Sequence, residues 1–159
     1  MLSALIEKFS STRAGQAKAI FASLFILQNR LQTVFDREDP ELTLKQFLLL
    51  ILVRQAPRPQ TLTQLGALLG CSRQNVKKLA RALEQKGFAA LRPCPADPRA
   101  CTVTPLPGME AYFARAAQAH ETALATLFSG YSDEELAQLF RLLSKLYQGT
   151  ERLEETSHD

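Results

Sequence analysis

Apolar residues recur at helical spacing along most of this 159-residue chain, and the polar breaks between them mark out its elements. From about Leu2 to Arg37 the pattern predicts one long helix, or two in succession with a break or kink near Gly15. Ile20, Leu24, Leu27 and Leu31 form its apolar stripe, and Phe21, Phe25 and Val34 widen it. So wide an apolar surface near a terminus needs a cover, and in a small protein a second copy of the chain can supply it. After the polar loop Asp36–Pro40, Thr43 and Gln46 form a capping box. The helix they start is apolar almost all round from Phe47 to Val53, which places it at the centre of the core. It stops near Gln55, before the helix-breaking run Ala-Pro-Arg-Pro at 56–59.

Thr61 and Gln64 repeat the capping box, and the helix they open carries Leu62, Leu65, Leu68 and Leu69. Gly70 supplies its C-terminal turn, Cys71 reads as a small buried turn residue, and Ser72 is a good N-cap for the next helix. Helix, three-residue turn and second helix is helix-turn-helix spacing. The second helix, from about Arg73 to Lys86, turns Val76, Leu79, Ala80 and Leu83 inward. At about 100° per residue, Gln74, Lys78, Arg81 and Gln85 then point outward with Lys77 beside them, and Glu84 lies off that face. Gly87 ends the helix. Phe88–Arg92 is a strand, Pro93–Ala100 a turn-rich loop and Cys101–Thr104 the return strand of a β-hairpin. Prolines at 93, 95 and 98 confine this hairpin to a partly exposed edge. Pro105 and Pro107 close it. Gly108–Ser129 is helical, and Ser132 with Glu135 caps a last helix bearing Leu136, Leu139, Phe140, Leu143, Leu146 and Tyr147. Residues 149–159 read as a polar tail that frays.

Charge changes this picture more than composition does. The chain is 46% apolar with seven glycines, enough for a helical core. Its net charge is only +3, yet Arg54, Arg58, Arg73, Lys77, Lys78, Arg81, Lys86, Arg92 and Arg99 face just two acids, Glu84 and Asp97, between positions 54 and 101. That segment carries +7 and the remainder −4, the footprint expected for a polyanion partner, although a solvated helix face with chance imbalance reads the same way. No apolar run approaches a membrane span, and the N-terminus MLSALIEKFSS lacks the pattern of a secretion signal. Three cysteines without zinc-finger spacing suggest neither a disulfide framework nor a metal, which fits a reducing cytoplasm. No cofactor is expected. With no Ser/His/Asp set, carboxylate pair or phosphate loop, and with His120 and His158 reading as structural or surface residues, the chain is not expected to be an enzyme.

The string LTQLGALLGCSRQNVKKLARALEQKGFAALR resembles the helix-turn-helix of the MarR family of transcriptional regulators, down to the closing Leu-Glu-x-Lys-Gly. Asp97-Pro-Arg99-Ala resembles the family's Asp-Arg-Arg-Ala wing motif, with Pro98 in place of the first arginine. Thr104-Pro-Leu-Pro-Gly108 departs from the Leu-Thr-x-x-Gly common in the family, so the join of wing to following helix is expected to differ. The resemblance spans roughly residues 20–148 and is strongest from Leu42 to Val103. It implies one domain, mainly α with a small β-hairpin wing: a winged helix-turn-helix lobe at 42–104 and dimerisation helices at 1–37 and 106–148. It further implies a homodimer of triangular outline, whose lobes face successive major grooves of a pseudo-palindromic double-stranded DNA site.

The expected DNA-binding residues are then Ser72, Arg73, Gln74, Asn75, Lys77, Lys78, Arg81, Asp97 and Arg99. Lys77, Lys78 and Arg81 suit phosphates or guanine edges, and Gln74 and Asn75 suit adenine. Ser72 and Arg73 sit where a helix N-terminus binds phosphate. Arg99 is expected in the minor groove, oriented by a charge-assisted hydrogen bond that it donates to Asp97. The leading reading is a repressor-type regulator modulated by a small aromatic ligand. Two alternatives stand beside it: a redox-responsive regulator using Cys94 and Cys101, and a winged-helix protein-interaction module without DNA binding. For the cysteines the plainer reading is a turn filler at Cys71 and free thiols at Cys94 and Cys101.

Overall fold

The computed structural model describes residues 7–8, 11–94 and 97–156. Its elements, in chain order, are α1 (Arg13–Glu38), α2 (Leu44–Gln55), β1 (Gln60–Thr61), α3 (Leu62–Leu69), α4 (Arg73–Gln85), β2 (Ala89–Cys94), β3 (Asp97–Pro105), α5 (Pro107–Leu127) and α6 (Asp133–Thr156). The fold is mainly α with a small antiparallel sheet, as expected. No helix among the described residues is long and apolar enough to cross a membrane.

The N-terminal segment before α1 lies largely outside the described residues. Where α1 begins, Thr12 is the N-cap and accepts the Gly15 N–H at 3.0 Å, so the helix start falls at Thr12 and Gly15 belongs to its first turn. Both capping boxes of the lobe are present, at Thr43/Gln46 and Thr61/Gln64. Gly70 closes α3 in the left-handed region at φ 66°. Gly66 lies where the next turn crosses α3: a Cβ there would stand 2.7 Å from the Cys71 carbonyl oxygen. Leu49, Leu50 and Val53 of α2, Leu62 and Leu65 of α3, and Val76, Ala80 and Leu83 of α4 form the buried core. Phe88, Ala89 and Ala90 complete it from the strand side. Cys71 is only half-buried, at the rim of this core rather than within it.

The sheet holds three strands in the order β1-β3-β2, all antiparallel. The two-residue strand β1, pairing Gln60 with Val103 and Thr61 with Thr102, adds to the expected hairpin. The hairpin itself is longer than expected: β2 runs to Cys94 and β3 starts at Asp97, so both strands extend into the expected Pro93–Ala100 loop. Its register breaks between Pro93 and Cys94, where Pro93 faces Cys101 and Cys94 faces Asp97. Pro98, Arg99 and Ala100 are the surplus residues on β3, a bulge that tolerates proline where a regular ladder does not.

By its internal contacts the chain divides into two compact units, residues 1–111 and 112–159. The first holds α1 together with the winged lobe. The Phe35 and Phe47 rings lie 4.9 Å apart, and Asp36 accepts the Leu44 N–H at 2.6 Å, which fastens the end of α1 to α2. In the second unit, Ser132 and Glu135 exchange the hydrogen bonds of a capping box and open α6. His120 packs edge-on to Tyr112, a structural role. α6 continues past Gly149 to Thr156 instead of fraying. The Thr150 and Thr156 hydroxyls donate to carbonyls one turn back, and Leu153 continues the apolar pattern of the helix.

Candidate nucleic-acid interface

The outward face of α4 carries four cations, Arg73, Lys77, Lys78 and Arg81, and its neighbours explain why. Ser72 caps the helix by accepting the Asn75 N–H at 3.2 Å, with extended backbone dihedrals that end the preceding turn. With Val76, Ala80 and Leu83 locked inward, the helical period leaves Arg73, Gln74, Lys77, Lys78, Arg81, Ala82 and Gln85 lining one open surface. Thirteen residues make α4 about 20 Å long, and its bare face fits a groove of about 12 Å. The one acid of the helix is withdrawn: the Glu84 carboxylate accepts the Leu91 N–H of β2 at 3.0 Å.

Not every base of the +7 segment belongs to this surface. Arg54 forms a two-pronged ion pair with Glu110, Nε to Oε1 at 3.0 Å and Nη2 to Oε2 at 2.7 Å. The Lys86 ammonium donates to the Glu41 carbonyl and to Gln46 Oε1. These two cations are engaged between neighbouring elements instead, and charge counting alone gives no sign of that.

The structure brings Arg73, Gln74, Lys77, Lys78 and Arg81 onto one face with Gln85, which the helical period also turns outward, and adds Ala82 to it. Ser72 and Asn75 are exposed at the helix start, bonded to each other. Asp97 and Arg99 lie exposed on β3, apart from that face in the chain's topology. Asp97 bonds to Arg99 through the main chain. Its Oδ1 accepts the backbone N–H of Arg99 at 2.9 Å, so it shapes the turn that displays Arg99 by fixing the main chain. All three cysteines are free and half-buried, and the register sets neither Cys94 nor Cys101 opposite the other.

A second helix with a basic, acid-free outward face, followed by a sheet and a displayed arginine, is a winged helix-turn-helix, and the MarR family model matches residues 42–101. Those residues are a MarR-family domain. No curated protein sequence matches the chain significantly. Solved structures share its fold. The MarR protein of Peptoclostridium difficile superposes with a TM-score of 0.75 at 20% identity, covering 84% of this chain and 88% of that one. A MarR family transcriptional regulator of Streptomyces coelicolor, determined in complex with DNA, gives 0.72 at 20% identity over 83% and 86%. BpsR of Bordetella bronchiseptica, whose DNA binding is regulated by 6-hydroxynicotinic acid, gives 0.69 at 22% identity over 80% and 92%. The MarR-family match spans the whole of α2, α3, α4 and β2, and it takes in the expected contact residues of both helix and wing.

Proposed function

We propose that this chain is a sequence-specific DNA-binding transcriptional regulator of repressor type, working in the cytoplasm as a homodimer on a pseudo-palindromic double-stranded site. The observation that carries this reading is the acid-free face of α4, whose only carboxylate is tied to β2. Lys77, Lys78 and Arg81 serve phosphates or guanine edges, and Gln74 and Asn75 present amides to adenine. Ser72 and Arg73 offer the helix N-terminus to a phosphate, while Arg99, set by Asp97, enters the minor groove.

Two exposed helical seams support the dimer. Ala17, Ile20, Leu24, Leu27, Leu31 and Val34 of α1 follow alternating steps of three and four residues, and so do Leu136, Leu139, Leu143, Leu146, Thr150 and Leu153 of α6. Phe140 and Tyr147 beside the second seam are each 74% exposed in the single chain. From Arg13 to Val34, α1 carries three bases and no acid, or +3. α6 carries six acids against three bases, or −3. Opposite charge on two uncovered seams favours pairing α1 of one copy with α6 of another. Regulation by a small aromatic ligand is the finer part of the reading. A fold relative is regulated by such a molecule, and a ligand that prefers one lobe spacing shifts the population away from the DNA-matched state.

The test is a fluorescence anisotropy titration of a labelled mixed-sequence duplex. Raising salt from about 50 to about 200 mM is expected to weaken binding by about a thousandfold, as for six or more phosphate contacts per dimer. The Lys78→Ala/Arg81→Ala variant is expected to bind more weakly with a shallower salt slope. Binding indifferent to salt would refute the assignment and favour a protein-interaction module.

A further inference from the structure

We propose that α2 is a strut that couples the first turn of α5 to the recognition helix α4, and that Arg54 and Glu110 are positioning residues for operator recognition. This rests on the DNA-binding reading above. α2 is pinned at both ends by cations the DNA face does not use. At its start, the Lys86 ammonium, on the C-cap residue of α4, donates to the Glu41 carbonyl and to Gln46. At its end, Arg54 grips Glu110 with two parallel hydrogen bonds, the geometry that fixes orientation as well as distance.

A second contact closes the same triangle. Gly87 ends α4 at φ 77°, and Gly108 rests against it: a Cβ on Gly108 would stand 2.4 Å from the Gly87 carbonyl oxygen. The Leu106 N–H donates to the Phe88 carbonyl at 3.0 Å, and the Met109 side chain is buried. The C-terminal end of α4 and the first turn of α5 therefore meet through backbone, with the Phe88 ring beside the contact and little room to absorb a displacement. α5 runs on from that turn without interruption to Leu127. A shift of α5 is delivered to α4 through Gly87–Gly108 on one side and through Glu110, Arg54 and α2 on the other. The ion pair is well placed to be adjustable. Its side chains are 39% and 59% exposed, so it adds little to stability while still fixing an angle.

The experiment compares Arg54→Gln, Glu110→Gln and the exchange variant Arg54→Glu/Glu110→Arg with the parent chain. Each is titrated on a duplex bearing two half-sites and on one bearing a single half-site, both from in vitro selection, and melted thermally. The single variants are expected to melt close to the parent, to bind the single half-site as the parent does, and to lose tenfold or more on the two-half-site duplex. The exchange variant is expected to regain most of that loss. Parent-like affinity of both single variants on the two-half-site duplex would overturn the proposal. So would an equal loss on both duplexes, which marks local damage to the lobe. Arg54→Lys, which keeps the charge and loses the second prong, is expected to fall between parent and Arg54→Gln. A parent chain that binds neither duplex overturns the DNA-binding reading itself and is thereby distinguished from failure of the strut.

Discussion

Glu84 and Asp97 are the two acids of the basic segment, and both carboxylates are turned to backbone amides. Glu84 accepts from Leu91, which removes a negative charge from the reading face and ties α4 to the wing strand. Asp97 accepts from the Arg99 N–H, which makes its contribution one of turn geometry. That distinction is testable. Arg99→Ala is expected to weaken binding to a selected operator at least tenfold, about 1.4 kcal/mol, with the fold intact. Asp97→Asn keeps an oxygen that accepts the same N–H, so it is expected to bind nearly as the parent, while Asp97→Ala loses a good part of the Arg99 effect. Anisotropy titration separates these cases, and equal losses for Asn and Ala would show that the charge matters instead of the turn. The cations divide in the same way: Lys77, Lys78 and Arg81 line the open face of α4, whereas Arg54 and Lys86 are engaged in joining helices. Nothing in the sequence distinguishes the two groups, because the partners Glu110 and Glu41 lie 56 and 45 positions away.

At the scale of elements, the helices of the lobe were legible because their signals are local. Thr43, Thr61 and Ser132 each announce a helix within four residues, and Gly70 and Gly87 end α3 and α4 with backbone that other residues adopt only under strain. What escaped was non-local. β1 is two residues long and exists only because β3 lies beside it, so no periodicity marks it. The laddered wing was masked by prolines, whose cost the bulge at Pro93/Cys94 relieves. The C-terminal end of α6 was masked by Gly149, a weak breaker in a helix that resumes its leucine pattern at Leu153. The α6 seam carries its own prediction. Leu143→Glu/Leu146→Glu puts two carboxylates into a helix that already carries −3 and removes two leucines, each worth about 1.5–3 kcal/mol when buried. In sedimentation the parent is expected as a dimer and this variant as a monomer with its helices retained. A parent that sediments as a monomer would remove the role given to both seams.

For the whole molecule, the two compact units divide the work. The first holds the segment matched by the MarR family with α1 attached, and the second ends in an acidic helix whose apolar seam is uncovered in the single chain. A lobe with one recognition helix reads only a few base pairs, so useful specificity requires two lobes held at a fixed separation. The seams, the α2 strut and the reading face are in this account parts of one requirement, which is symmetry matched to DNA. The most direct measurement is in vitro selection from a random duplex library with the full-length protein, followed by sequencing of the bound pool. The account predicts enrichment of an inverted repeat whose half-site centres lie about one helical turn, roughly 10–10.5 base pairs, apart. A pool without sequence enrichment, or one enriched only in isolated half-sites, would contradict it.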